Sequence, residues 1–215
     1  KGEVFTFLGQ NGAGKTTALL MMAGVIPSTS GDVTVNGASM TDDTDEARKS
    51  LGLCMSDDHV FPDLTAEDHF RLVARIKGFT GASLEAEIER TLEITNLTKF
   101  RKNKPLHLSG GMIRKLSLGM ALIGGSQVLI LDEPTTGLDV ESRRQIWEVI
   151  LKARNTRSIV LSTQHVEEAD ILSNRVCVMS HGQVIALDKP STIKRTYGVG
   201  YNFIVEPSYA TEGLP

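Results

Sequence analysis

Residues 9–17, G-Q-N-G-A-G-K-T-T, combine glycines, a lysine and two threonines at a spacing suited to holding phosphate groups. They follow the pattern G-x-x-x-x-G-K-[ST], in which successive backbone N–H groups point inward and surround a phosphate. An apolar run, residues 4–8, precedes this stretch, and a helix-compatible run, residues 17–23, follows it. This is the strand–loop–helix context that the pattern requires. The stretch therefore predicts a binding site for a nucleoside triphosphate.

The side chains of this loop have separate expected tasks. Lys15 is expected to reach the β- and γ-phosphates, and Thr16 to offer its hydroxyl to Mg²⁺. The glycines let the backbone curl, and the following helix adds its positive N-terminal end. We expect ATP and Mg²⁺ as cofactors. The residues predicted to bind the nucleotide are Gly9, Gln10, Asn11, Gly12, Ala13, Gly14, Lys15, Thr16 and Thr17.

A second apolar run, residues 128–131, ends in the acidic pair Asp132 and Glu133. Ligands of open parallel sheets bind at the carboxyl ends of the strands, which is where this pair would lie. Asp132 is then expected to hold Mg²⁺ opposite Thr16, directly or through water. Glu133 is the candidate for orienting and polarising an attacking water.

Residues 108–112, L-S-G-G-M, predict another anion-binding site. Ser109, Gly110 and Gly111 come directly before a helical run, so they would present a further helix N-terminus. Because this chain already has one phosphate loop, a second such end suggests action on a partner's nucleotide. The alternative is an ordinary helix cap of the Ser/Gly kind.

The elements around these motifs indicate an α/β fold. Continuous apolar strands alternate with helices, which is typical of a largely parallel sheet covered on both faces. Asn36-Gly37 predicts a turn in a small antiparallel region. Residues 57–107 are mostly helical; Thr65 with Asp68 predicts one helix start, and Ser83 is expected to cap the next. The expected division is a phosphate-loop part of the core (1–56), an inserted helical subdomain (57–110), the remainder of the core (111–190) and a C-terminal extension (191–215).

Composition excludes several other classes. The 215 residues are 40% hydrophobic and 23% charged, as in ordinary globular proteins. The net charge of −3 gives no reason to expect a nucleic-acid partner. No run supplies the ~20 apolar residues of a membrane span. Two distant cysteines favour a reducing, cytosolic setting, and a start at Lys1 suggests a piece of something longer.

Taken in order, these motifs resemble the nucleotide-binding domains of ATP-binding-cassette transporters over nearly the whole chain. The matching elements are the phosphate loop (Walker A), the L-S-G-G-M signature, the strand ending in D-E-P (Walker B) and residues 137–139, G-L-D. Finer features are similar to subfamily A, the lipid-handling group. They are the methionine of the signature and residues 114–117, 143–148 and 167–170. Within that group the signature looks more like the first of the two such domains.

The resemblance implies a mechanism and a set of partners. Two such domains meet head to tail, and each ATP lies between Walker A of one and the signature of the other. Hydrolysis then drives the attached transmembrane domains from the cytosolic face of a membrane. By this resemblance Ser109, Gly110 and Gly111 serve the partner's γ-phosphate, and Asp139 lies at the interface between the domains. The fold implied is a RecA-like P-loop NTPase core.

Three positions depart from the family pattern. The adenine-stacking aromatic lies upstream of Walker A, so we expect it outside this sequence. Ser56 takes the place of the glutamine that contacts the metal, with Asp57 or Asp58 as alternative ligands. Gln164 takes the place of the switch histidine beside the catalytic glutamate, and His165 follows one residue later.

Two functions follow from these features. Lys15 and Glu133 favour a working ATPase coupled to transport. Ser56 and Gln164 favour a degenerate half-site that clamps ATP with little turnover and regulates its partner. A cassette ATPase of DNA repair or translation is the third alternative, but its coiled coils, tandem cassettes and basic segments are not visible.

Overall fold

A computed structural model describes residues 2–198 of the chain. Its main sheet has six strands in the order β4-β5-β6-β1-β7-β8. All neighbours are parallel except β7 and β8, which form an antiparallel hairpin. The strands are β1 (Val4–Leu8), β2 (Thr34–Val35), β3 (Ala38–Ser39), β4 (Leu51–Cys54), β5 (Val128–Asp132), β6 (Ser158–Thr163), β7 (Arg175–Ser180) and β8 (Gln183–Asp188). The predicted α/β fold with a largely parallel sheet is confirmed.

Helices cover both faces of this sheet. They are α1 (Lys15–Met22), α2 (Thr44–Lys49), α3 (Ala66–Ile76), α4 (Gly81–Ile94), α5 (Gly110–Leu122), α6 (Val140–Arg154), α7 (Val166–Leu172) and α8 (Pro190–Tyr197). On one face of the sheet, side chains of β5 and β6 pack against α5 and α6. On the other face, side chains of α1 pack against β5. Burial from both sides explains why the central strands are almost continuously apolar. Their carboxyl ends therefore meet at one edge, where the loops after β1, β5 and β6 come together.

The small antiparallel sheet pairs β2 with β3. Asn36 and Gly37 both have positive φ angles, 52° and 91°, as the tight turn between the strands requires. The predicted antiparallel region is confirmed.

Helices α3 and α4 form a core of their own with part of α5. The predicted helix start at Thr65 is confirmed, and Thr65 and Asp68 form a capping box at the start of α3. The prediction for Ser83 is wrong, because α4 begins two residues earlier, at Gly81. The Ser83 hydroxyl instead donates to the carbonyl oxygen of Thr80 at 2.7 Å.

The buried side chain of Glu67 connects α3 to the segment that follows α4. Glu67 accepts hydrogen bonds from Arg101 at 2.7 Å and from Arg71 at 2.8 Å, and its Oε2 lies 3.2 Å from Lys102 Nζ. Burial raises the pKa of Glu67, but hydrogen bonds from these three cations outweigh it and lower the pKa to about 2. The cluster fixes the segment that leads from α4 towards α5.

Within residues 2–198, no helix combines the length and apolar character that a membrane crossing requires. Cys54 and Cys177 are both free and buried. Burial raises the pKa of the Cys54 thiol to about 11, so this thiol is protonated at neutral pH. Of the expected C-terminal extension (191–215), residues 191–198, which include most of α8, lie within the described residues, and residues 199–215 lie outside them.

Candidate functional site

The phosphate loop joins the central strand β1 to α1. Gly12 and Gly14 have φ angles of 81° and 96°, which other residues rarely adopt, and Gly14 immediately precedes the helix. Gly9 is different, because it does not have a left-handed φ angle. A Cβ atom at Gly9 would lie 2.5 Å from the carbonyl oxygen of Met179 in β7. Gly9 is therefore required for close packing rather than for curling of the loop.

Lys15 lies inside the loop and is 5% exposed. Its ammonium group donates to the carbonyl oxygens of Gly9, at 2.8 Å, and Gln10, at 3.2 Å. It also lies 3.1 Å from Oε1 of Glu133, with which it forms an ion pair. The cation predicted for phosphates and the acid predicted for catalysis are thus direct neighbours.

Glu133 is held in an unusual backbone conformation at the end of β5. Its φ angle is +46°, rare for a residue with a side chain. Its N–H donates to the Ser162 hydroxyl at 3.0 Å, and its Oε2 accepts from the Thr136 hydroxyl at 2.9 Å. Its buried Oε1 accepts no hydrogen bond from the described residues, despite the nearby charge of Lys15. The contact of that oxygen is instead the ion pair with the Lys15 ammonium group.

The expected metal ligands Thr16 and Asp132 are in contact. The Thr16 hydroxyl lies 3.1 and 3.0 Å from the two carboxylate oxygens of Asp132. Asp132 is fully buried, and the Ser162 hydroxyl also donates to it. Among the described residues no cluster of three or more His, Cys, Asp and Glu side chains forms a metal cage. A hydroxyl and a carboxylate nevertheless fit Mg²⁺, which prefers oxygen ligands, few protein groups and substrate phosphates.

A cavity of about 390 Å³ opens over the loop. It brings together the phosphate loop, the catalytic candidate Glu133, and the two residues that depart from the family pattern, Ser56 and Gln164. Its lining residues are Asn11, Gly12, Ala13, Gly14, Lys15, Thr16, Thr17, Ser56, Glu133, Thr136 and Gln164. Most of the predicted nucleotide-binding residues therefore share one cavity.

Other predicted residues lie outside that cavity. His165 immediately precedes α7, and its backbone N–H donates to the Thr163 hydroxyl at 3.0 Å. Asp57 and Asp58 do not line the cavity either, and the Asp58 carboxylate instead accepts from the Ser117 hydroxyl at 2.8 Å. Ser56 is therefore the residue of this loop that faces the site.

The signature forms the N-terminal end of α5, also away from this cavity. The Ser109 hydroxyl caps the helix by accepting from the Met112 N–H at 3.3 Å. Ser109 and Gly110 are exposed, whereas Gly111 is buried and a Cβ atom there would lie 2.5 Å from the Ser142 hydroxyl. Close contact between α5 and α6 thus explains the second glycine.

Asp139 lies next to this end of the molecule. Its carboxylate accepts from the Ser142 N–H at 2.9 Å and caps α6. Hydrogen bonds from Ser142 lower the pKa of Asp139, so the residue is an anion at neutral pH. The signature and Asp139 therefore lie side by side, because Ser142 is close to Gly111 and also donates to Asp139.

Sequence reasoning missed three contributors to this site. Thr136 and Ser162 contact Glu133 from the loop after β5 and from β6, and Arg114 contacts the same loop from α5. Repeated threonines directly after the D-E-P turn were a usable signal for Thr136. No local pattern signals the contacts of Ser162 and Arg114, because these residues reach the site only through folding.

The strand–loop–helix geometry, the Thr16–Asp132 contact and the adjacent Lys15–Glu133 pair define the chain as a P-loop nucleotide-binding domain. A family model described as ABC transporter matches residues 1–136. The chain belongs to the ABC transporter family.

Solved structures of cassettes have the same fold. One, the ATP-binding subunit of an ABC transporter, has a TM-score of 0.80 at 27% identity, covering 92% of this chain and 82% of that chain. Another is a dimeric ATP-binding cassette in a post-hydrolysis state bound to ADP and Pi, with a TM-score of 0.78 at 24% identity, covering 88% of this chain and 86% of that chain. The chain thus has the fold of the family's ATPase domains.

Relatives among curated proteins belong to subfamily A, as the signature and its flanks suggested. The human ATP-binding cassette sub-family A member 2 is 41% identical over 100% of this chain and 9% of the relative. The human phospholipid-transporting ATPase ABCA3 is 42% identical over 100% of this chain and 13% of the relative. The mouse glucosylceramide transporter ABCA12 is 43% identical over 94% of this chain and 8% of the relative. The chain therefore spans about a tenth of the length of these relatives.

Proposed function

We propose that this chain binds and hydrolyses Mg-ATP at the cavity over residues 9–17. The observation that carries the proposal is that Lys15, Thr16 and Glu133 line that cavity and that buried Asp132 contacts the Thr16 hydroxyl. Lys15 supplies a cation for the phosphates, Thr16 and Asp132 supply oxygen ligands for Mg²⁺, and Glu133 supplies a carboxylate next to the Lys15 ammonium group. The edge of the sheet at which the strands end thus provides the charged groups that phosphoryl transfer requires.

In the hydrolysis step Glu133 acts on water. Its carboxylate accepts a proton as the water oxygen forms a bond to the γ-phosphorus. The bond between the γ-phosphorus and the bridging oxygen then breaks, and ADP leaves with that oxygen. Lys15 neutralises charge on the phosphates, while Mg²⁺, when bound by Thr16 and Asp132, stabilises the charge of the transition state.

We expect Glu133→Gln to lower ATP turnover by about 10²–10⁴-fold, because general-base catalysis contributes about that much. Binding of ATP should persist, since the amide keeps the shape of the side chain. The variant should also accumulate ATP-dependent pairs of domains. The measurements are steady-state ATPase activity and ATP titration of the intact transporter.

Glu141→Gln provides the matched control, because it makes the same chemical change on the exposed first turn of α6. Its activity should equal that of the parent. Parent-like turnover in the Glu133 variant would remove Glu133 from the mechanism.

The partners of the chain are part of the same proposal. A second nucleotide-binding domain would place its ATP against Ser109, Gly110 and Gly111, and Asp139 would lie at that junction. Exposure of Ser109 and Gly110 supports this assignment. The chain would then act at the cytosolic face of a membrane, attached to transmembrane domains and without a nucleic-acid partner.

Lipid transport is the activity that we propose for the whole protein. The support is similarity to relatives whose names include phospholipid-transporting ATPase and glucosylceramide transporter. The signature favours the first of two domains in such a transporter. The division at residues 56, 110 and 190 also belongs to this proposal, supported by the separate core of α3 and α4.

A second candidate function is the clamp with little turnover. The specific observation in its favour is that Ser56 and Gln164 both line the cavity. Serine is shorter than the family's glutamine, and Gln164 has no titratable proton. Glu133 would then remain in place with less support around the attacking water.

The double change Ser56→Gln with Gln164→His distinguishes the two functions. If the site is a clamp, turnover at this domain of the intact transporter should rise by about 10²-fold, the scale of a missing transition-state contact. His165→Gln is the control at the neighbouring position and should leave turnover unchanged. A parent site that already matches the hydrolysis rate of its partner domain would contradict the clamp.

A further inference from the structure

Arg114 lies in α5, two residues after the signature, and is only 3% exposed. Its Nε atom donates to the carbonyl oxygen of Pro134 at 2.8 Å. Its Nη2 atom donates to the carbonyl oxygens of Asp132, at 2.9 Å, and Glu133, at 2.8 Å. One guanidinium group therefore holds three consecutive carbonyl groups on either side of the catalytic candidate.

The other nitrogen of Arg114 holds a different loop, the one after β4. Nη1 donates to the carbonyl oxygens of Met55, at 2.6 Å, and Ser56, at 3.2 Å. It also lies 3.2 Å from the Asp58 carboxylate, to which the Ser117 hydroxyl donates from the same helix. The loop that brings Ser56 to the cavity is thus fastened to α5 through Arg114.

The chemistry of this arrangement requires arginine. A guanidinium group directs five N–H donors in a rigid plane, so it can contact two loops at once. A lysine ammonium is a compact charge at the end of a flexible chain and cannot direct donors along two separated lines. The contacts of Arg114 are mostly to backbone carbonyls, so they set the course of the chain rather than that of one side chain.

The course of the chain matters most at Glu133. Its φ angle of +46° is sparsely populated and persists only when surrounding contacts impose it. Arg114 contacts the carbonyl group of Glu133 itself and those of both neighbouring residues. Displacement of a catalytic group by about 1 Å can cost 10²-fold in rate.

We propose that Arg114 is a positioning residue for ATP hydrolysis. It links the signature helix to the Glu133 turn and to the Ser56 loop, and so places two groups that face the cavity. The inference rests on the proposed function, because it assigns a step to Glu133.

Lys115 offers a natural comparison at the next position of the helix. It is also buried and cationic, at 7% exposure, but its ammonium group donates to the Gln145 side chain in α6. Lys115 therefore controls for substitution at a buried cationic position of α5 that makes no contact with the Glu133 turn or the Ser56 loop.

The first test compares Arg114→Lys with Lys115→Met in the intact transporter. We expect Arg114→Lys to lower kcat by about 10-fold or more and to leave the KM for ATP within about twofold, since Arg114 does not line the cavity. Lys115→Met should keep kcat within about twofold of the parent. In the Glu133→Gln background, Arg114→Lys should cause no further loss, because both changes act through the same carboxylate.

The second test is amide hydrogen exchange in the same variants, which needs no turnover. Arg114→Lys should raise exchange about tenfold or more at residues 55–58 and 133–136 and leave α1 unchanged. If the parent hydrolyses no ATP, the proposed function fails while this exchange result still supports the link made by Arg114. Parent-like exchange in both segments would overturn the inference. So would a uniform rise in exchange together with lost ATP binding, which would mark Arg114 as a general stabilising residue.

Discussion

Two helix N-termini in this molecule are suited to anions, but their surroundings differ. The end of α1 is enclosed by the phosphate loop, with buried Lys15 inside it and Asp132 and Glu133 beside it. The end of α5 is open, and its Ser109 hydroxyl is used to cap its own helix. The first end supplies a cavity, a cation and acids from one chain, whereas the second offers mainly exposed backbone.

The difference separates what one chain can do from what needs a second one. A helix N-terminus and a few N–H groups bind anions weakly without further charge. The α1 end has that charge, so ATP binding is expected of this chain by itself. Among the described residues the α5 end offers a helix dipole with exposed Ser109 and Gly110, so its expected role begins when a partner brings a nucleotide to it.

Lys15→Ala should produce the largest effect and would break the comparison if it did not. Removing the cation that faces the phosphates should weaken ATP binding by about 100-fold or more, because charge-assisted contacts are the strong ones in such sites. The matched change at the other end, Ser109→Ala, should leave binding at the α1 end unchanged. Isothermal titration with Mg-ATP measures both; equal losses in the two variants would contradict the distinction.

Gly110→Ala tests the α5 end with a smaller expected effect. A Cβ atom at Gly110 meets no atom within 4 Å, so the chain itself has room for it. If a partner's nucleotide approaches this backbone, the added methyl group should obstruct it and lower turnover of the intact transporter by about 10-fold. Folding and ATP binding at the α1 end should remain as in the parent.

Gly111→Ala serves as the contrasting change next to it. Here the added atom would collide with Ser142 inside the chain, so we expect lower stability as well as lower turnover. Thermal unfolding separates the two cases. Turnover equal to that of the parent in the Gly110 variant would contradict the approach of a partner's nucleotide to the N-terminal end of α5.

Glu67→Gln should have the smallest effect on function, because it acts only on the helical side that leads towards α5. The folded pKa of Glu67, about 2, lies below its ordinary value of 4.5, so its charge stabilises the fold above pH 4.5. That contribution, up to about 3 kcal/mol from the size of the shift, is lost as the pH falls from 4.5 towards 2. The variant should be less stable at pH 7, and its free energy of unfolding should depend less on pH in this acidic range. Its ATP binding should be unchanged.

Urea denaturation of this chain as a function of pH measures that slope. Glu46→Gln is the control, since Glu46 pairs with Lys49 on the exposed surface, where both side chains are more than half exposed. It should leave the curve as in the parent. If the free energy of unfolding of the Glu67 variant falls as steeply between pH 4.5 and pH 2 as that of the parent, other carboxyl groups cause the acid sensitivity.

The phosphate loop, the acidic end of β5 and the alternation of strands and helices were all readable from the sequence, because each depends on neighbours close in the chain. Glycines at fixed spacing define a loop, and an apolar run followed by acids defines a strand end. The capping box at Thr65 was equally local. The start of α4 was missed because Thr80 and Gly81 begin the helix without the side-chain cap that was expected at Ser83.

Tertiary structure decided the contacts that join these local units. Gly9 is required because β7 passes close to it, Gly111 because α6 does, and neither reason is written in the loop itself. The five carbonyl groups held by Arg114 come from two loops that are distant in sequence from α5. Sequence patterns report the conformations that a segment prefers, whereas these approaches depend on where the completed sheet places its neighbours. The sequence therefore determined which groups could do the chemistry, and only the fold determined what holds Glu133 and Ser56 in position.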